Sequence, residues 1–204
     1  NPDVLVHCDC VQGFGKILFS LNRIKADMVT MSSHKIHGPK GCGAIYVREG
    51  VNLRPLCFGG SQESRVRPGT ENVPGIAAFG HASLKALRDI RENWEHVKEL
   101  NLYLRDCLRQ MEDVVINSPS GAVPYVLNIS VLPFATEDLL HEMRMRGIYL
   151  SGSSACEKGA RSHVIRAMGI EGPRADSVVR IGLGKKNTRE EVTVLVETLN
   201  ELIK

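Results

Sequence analysis

The stretch ADMVTMSSHKIHGPKGCGAIYV (Ala26–Val47) constrains the fold more than any other part of the chain. An apolar, strand-like run, ADMVTMSS (Ala26–Ser33), ends in His34 and Lys35. It breaks into a turn carrying Gly38, Pro39, Gly41 and Gly43, and GAIYVRE (Gly43–Glu49) then resumes as a strand. Glycine supplies backbone angles that other residues avoid and proline fixes one, so this punctuation predicts two strands joined by a tight connection. Polar side chains are thereby held at one strand end, and a lysine held there calls for a purpose.

The surrounding pattern is α/β. VLVHCDC (Val4–Cys10) reads as a short apolar strand ending in an acid. Leu56–Gly75 is a polar loop rich in glycine and proline, and structureless loops of that length are uncommon unless they bind something. From about Val73 to Met111, apolar residues from Ile76 to Leu108 recur at three- and four-residue steps, which predicts a long helix. VVINSP and YVLNISVL then read as strands. TEDLLHEMRMRG (Thr136–Gly147) reads as a helix with Thr136 as cap, IYLSGSS as strand into loop and DSVVRIGLG as a strand. TREEVTVLVETLNELIK reads as an amphipathic helix capped by Thr188. The expected organisation is a sheet-bearing domain with the long connecting helix (1–105) and a small α+β domain (106–204), with the boundary near 105–115.

Composition excludes several classes. The chain has 204 residues, 43% of them apolar, so a core can be buried. The formal net charge is +3 with both signs interspersed, and aromatics are 5%; this argues against a nucleic-acid surface. The six cysteines contain no CxxC pair, so no zinc ribbon or other metal site is expected. Cys8 and Cys10 alternate away from Asp9 and read as small core residues. No apolar run approaches ~18 residues and no leader opens the chain, so no membrane partner and a cytoplasmic, thiol-reducing setting are expected. The abrupt opening into a strand leads us to expect either more chain upstream or a second chain completing the fold.

The polar groups at the strand ends make a set. Asp9 ends one strand, Gln12 follows in DCVQGFGK, and His34 and Lys35 end the next. Ligands of α/β sheets sit outside the carboxyl ends of strands. An acid, an amide and an amine there suit pyridoxal 5′-phosphate, which needs a lysine for attachment and a carboxylate beside its ring nitrogen. The competing reading makes Asp9 a turn cap and Lys35 a solvated surface residue. Arg180, within an apolar strand, needs an anionic partner, either a ligand or a permanent acidic neighbour.

DCVQGFGK, MSSHKIHGPKGCGAIYVR, GGSQESRVRPGTEN, SGSSAC and VVRIGLG occur in that order. With them the chain, from about Val4 to the last helix, resembles the carboxyl-terminal half or so of a cysteine desulfurase of the class V aminotransferase group, with the PLP-dependent transferase fold. The resemblance implies that Lys35 joins the cofactor, Asp9 holds the ring-nitrogen proton and Gln12 bonds the ring oxygen. It further implies that Ser33 or Ser32, with His34, holds the phosphate, and that Thr70 reaches the phosphate of a neighbouring subunit's cofactor, hence a homodimer. Arg180 would clamp the carboxylate of L-cysteine, with Asn128 at the substrate end of the small domain.

Cys156 lies among small polar residues, with Lys158 and Arg161 near enough in sequence to favour a thiolate. By resemblance it is the catalytic thiol that takes the substrate sulfur as a persulfide. It would pass the sulfur to an acceptor protein of iron–sulfur cluster assembly or tRNA thiolation. Covering only part of such an enzyme, the chain is expected to be a fragment or one subunit of a split enzyme, with an upstream amino-terminal polypeptide as partner. The rival expectations are a selenocysteine lyase or related class V enzyme, and a non-catalytic sulfur-carrier or docking module.

Overall fold

The computed structural model describes residues 4–152 and 162–204; Cys156 lies outside the described residues. The chain divides into two compact units, Asn1–Glu92 and Asn93–Lys204.

In the first unit, β1 (His7–Asp9), β2 (Met28–Ser32) and β3 (Gly43–Val47) form a sheet in that order, β1 parallel and β3 antiparallel to β2. A single turn of helix, α1 (Leu21–Ile24), lies on the crossover between β1 and β2. Buried Asp27 ties the sheet at its start. Its carboxylate accepts from Val6 N at 2.7 Å and from Arg48 Nε at 2.7 Å. These bonds, the backbone one first, hold its pKa below the usual carboxylate value.

Helix α2 (Val73–Arg88) starts at Asn72, whose side chain accepts from Gly75 N, with Pro74 in the first turn. Its Phe79 and Ala86 pack with Ile36 and Phe14, the phenyl rings edge-on at 6.1 Å. The long helix expected from Val73 to Met111 is two helices. The backbone leaves the helical path at Asp89 (ψ 4°), and α3 runs Ile90–Leu108. Ile76, Leu84 and Leu87, which follow the apolar period, are exposed in α2.

In the second unit, β4 (Val114–Ile116), β5 (Val126–Val131) and β6 (Val178–Gly182) form an antiparallel sheet in that order. Alternation splits it into two faces. Leu127, Ile129, Val131, Val179 and Ile181 are buried with Leu100, Leu104 and Leu108 of α3, Leu139 and Met143 of α4 (Thr136–Met145), and Leu195 and Leu199 of α7 (Arg189–Ile203). The other face carries Asn128, Ser130 and Arg180. Two short helices, α5 (His163–Ala167) and α6 (Gly172–Asp176), add a small cluster of Ile165, Ile170 and Val178.

The second unit begins at Asn93, and Trp94, Val97, Leu100, Leu104 and Leu108 of α3 all join its core. Thr188 caps α7 as expected: its hydroxyl accepts from Glu191 N while the Glu191 carboxylate accepts from Thr188 N. Thr136 does not cap α4. The cap is Ala135, and the Thr136 hydroxyl lies within hydrogen-bond distance of the carbonyls of Asp176 (3.0 Å) and Val178 (2.9 Å).

Candidate active site

The first unit gathers its polar groups at the carboxyl ends of β1 and β2. Asp9 pairs with Thr30, so Asp9, Thr30 and Ser32 share one face, while Cys8, Val29 and Met31 share the other. Asp9 is exposed, and its Oδ1 accepts from Val11 N at 2.9 Å, which fixes the carboxylate over the turn that follows. Cys8 and Cys10 lie opposite with Sγ atoms 3.5 Å apart, half-buried rather than in the core. Burial first, then the Cys8 hydrogen bond and neighbouring charge, push the Cys10 thiol up to about 11.

Residues 11–17 coil back through successive turns, Phe14 N donating to Cys10 O at 2.7 Å and Ile17 N to Gly13 O at 2.9 Å. Gly15 lets this coil sit against the lysine turn. Its φ is +70°, and a Cβ there would come 2.7 Å from Ile36 Cγ2. Four residues apart on the coil, Lys16 Nζ donates to Gln12 Oε1 at 3.2 Å. Burial, and then the charge of Lys35, lower the Lys16 pKa.

Lys35 is half-buried in a 3₁₀ turn, Ser33–Ile36, directly after β2. The turn is closed by Gly38 N donating to Ser33 O at 3.0 Å and joined to the next strand by Ser33 N donating to Cys42 O at 3.1 Å. The two serines before the lysine have different fates. Ser32, on the Asp9 face, has its Oγ 2.7 Å from His34 Nδ1. Ser33 is fully buried, its Oγ has no hydrogen-bond partner among the described residues, and a Cβ on Gly38 would collide with it. Thr70 is exposed in the loop before α2, and no hydrogen bond joins it to Lys35 among the described residues.

The second unit contributes a separate polar surface. Arg180 pairs across strands with Asn128, so the two share a face. No carboxylate pairs with Arg180 among the described residues. Asn128 is fixed from below: its Oδ1 accepts from Asn117 Nδ2 at 2.8 Å, and Asn117 Oδ1 accepts from Arg174 Nε at 2.8 Å. Buried Arg105 staples the connection after β4, donating to the carbonyls of Ser118 and Pro119, each at 3.0 Å. Nothing in the sequence around Asn117, Arg174 or Lys16 marks them as a set. The one usable signal was Lys16 four residues beyond Gln12.

The donor set fits the pyridoxal phosphate site that the sequence suggests. A carboxylate, an amide and a lysine amine follow neighbouring strand ends, with a serine–histidine pair next to the lysine in the chain. The Arg180 guanidinium of the second unit, which pairs with no carboxylate among the described residues, suits one. Fold and site together define the class of PLP-dependent transferases.

The chain belongs to the class V aminotransferase family, whose model (Aminotransferase class-V) matches residues 1–195. Cysteine desulfurase IscS of Dictyoglomus turgidum is 34% identical over 98% of this chain and 52% of that protein. The mitochondrial cysteine desulfurase of Saccharomyces cerevisiae is 37% identical over 98% of this chain and 41% of that protein. Among solved structures, one titled NifS-like protein superposes with TM-score 0.91 at 37% identity, covering this chain fully and 53% of its own. The NifS-like protein from Rickettsia africae superposes at 0.89 with 33% identity, over 97% of this chain and 53% of its own. The chain thus spans about half the length of the curated relatives it matches.

Proposed function

We propose that this chain is part of a PLP-dependent cysteine desulfurase. The observation that carries the reading is the β1–β2 register, which sets Asp9 on the face of Ser32, one turn from Lys35. The cofactor, when bound, supplies an electron sink for bonds broken at the substrate. The protein's residues do the rest. Lys35 offers its amine as attachment point and afterwards carries a proton to and from the substrate carbon. Asp9 holds a proton on the ring nitrogen. Gln12, its Oε1 occupied by Lys16, presents its Nε2 donors to the ring oxygen. Ser32 and His34 hold the phosphate; Ser33, turned inward, is the weaker candidate of the two serines. Arg180 takes the carboxylate of L-cysteine, and Asn128 lies beside it.

The Cys156 thiol takes the sulfur. L-Cysteine and the thiol become L-alanine and a Cys156 persulfide, with no external oxidant or reductant, and the persulfide sulfur passes to an acceptor protein. Thr70 completes the phosphate site of a second subunit. A polypeptide equivalent to the remaining half of the relatives completes the cofactor site. Cys8, Cys10, Cys42, Cys57 and Cys107 are all free thiols, which suits a reducing compartment such as the cytoplasm. Among the described residues no helix is long and apolar enough to cross a membrane.

The test is L-cysteine turnover by the full chain supplied with PLP and such a polypeptide. Expected are equal amounts of alanine and of sulfur bound at Cys156, found by peptide mass mapping, both lost in Lys35→Ala. Alanine without a Cys156 persulfide would contradict the thiol's role. Ser32→Ala is expected to weaken PLP retention and Ser33→Ala to leave it nearly unchanged.

A further inference from the structure

We propose that Ser151 is a positioning residue for Arg180, restricting how that guanidinium can receive a carboxylate. The inference rests on the clamp reading of Arg180 above and assigns a role to a residue outside it.

Ser151 and Arg180 form an isolated antiparallel bridge beyond the three-stranded sheet. Arg180 N donates to Ser151 O at 2.7 Å, and Ser151 N donates to Arg180 O at 3.2 Å. Within this backbone clasp, Arg180 Nε donates to Ser151 Oγ at 3.1 Å, and the same hydroxyl lies 3.4 Å from Arg180 O as its acceptor. One small side chain therefore reads both the backbone and the side chain of the arginine.

The chemical consequence follows from guanidinium geometry. The group carries five N–H donors in a rigid plane, and a carboxylate can meet it side-on through Nε and one Nη, or end-on through both Nη atoms. Ser151 occupies Nε, which closes the side-on approach. The Nη groups have no hydrogen-bond partner among the described residues. The carboxylate must then arrive end-on, beyond the tip of Arg180. The Nε bond also restrains the long side chain before ligand arrives, which lowers the ordering cost of binding. Threonine keeps the acceptor oxygen; alanine does not.

The experiment uses the full chain with 3-mercaptopropionate, which is L-cysteine without its amino group. Binding is followed through the Arg180 side-chain N–H signals by NMR. In the wild type, the Arg180 Nε–H is expected to exchange with solvent slowly, and the Nη signals to shift on titration. Ser151→Ala is expected to speed that exchange about tenfold or more and weaken the probe about five- to tenfold; Ser151→Thr should keep both within about twofold. A purely structural role for Ser151 would lower stability and leave exchange at Nε and probe affinity in step with the folded fraction.

Free exchange at Nε in the wild type, or unchanged probe affinity in folded Ser151→Ala, overturns the positioning role. If Arg180→Ala binds the probe as the wild type does, the clamp reading fails instead, and Nε exchange still decides the role of Ser151. Should Ser151→Ala not fold, the wild-type exchange rate and Ser151→Thr decide.

Discussion

Both units are built on a three-stranded sheet, and they differ in how completely that sheet is covered. In the second unit Leu127, Ile129, Val131 and Val179 are all fully buried. In the first, Val29 is the one strand residue buried to that extent among the described residues, whereas Val6 is 47% and Ile45 46% exposed. Leu56 and Phe58, in its long loop, are almost wholly exposed. Apolar burial is the main favourable term in folding, at roughly 1.5–3 kcal/mol per large side chain. The second unit therefore carries a self-sufficient core. The first carries a sheet much of whose apolar surface is exposed.

The contrast can be attacked by truncation. Leu104→Ala, in the second unit's core, is expected to cost about 3 kcal/mol in urea unfolding, whereas Phe58→Ala should fall within about 0.5 kcal/mol. Equal losses would dissolve the distinction between the units. A smaller effect is expected at the last helix. Thr188→Ala removes one arm of the α7 capping box and should cost about 1 kcal/mol, with amide exchange rising first in that helix's opening turn.

The smallest effect concerns acid sensitivity in the first unit. The folded pKa of Asp27 is depressed, so its carboxylate stabilises the fold above the unfolded carboxylate value, near 3.8. That contribution disappears as pH falls through the lower, folded value. Asp27→Asn should therefore lower first-unit stability at neutral pH and flatten its pH dependence in that acid window. An acid profile identical to the wild type would show that the tie to Val6 and Arg48 contributes nothing.

Local signals carried much of this structure. The apolar runs YVLNISVL and DSVVRIGLG predict the strands β5 and β6 that form, and Thr188 caps the last helix as its position predicts. Asp9 before Gln12 and Lys35 after a strand sufficed to suggest a cofactor site, because each sits where alternation ends. What escaped depended on distant partners. Thr136 has the composition of a cap, yet its hydroxyl reaches carbonyls forty residues away. The break at Asp89 is hidden within continuous apolar periodicity. Ser32 and Ser33 are alike in sequence, and only the pleat and the closeness of Gly38 separate an available hydroxyl from a buried one. Ser151 and Asn117 acquire meaning only once strand pairing brings them to Arg180 and Asn128.

The central claim is that Lys35 is the attachment amine. Reduction of the full chain with borohydride after equilibration with saturating PLP, followed by peptide mapping, tests it most directly. A pyridoxyl group concentrated on Lys35, and absent from its neighbour Lys16, is the predicted result. Label on Lys16, or label spread across surface lysines with Lys35 unmodified even when a polypeptide equivalent to the rest of the relatives is added, would contradict it.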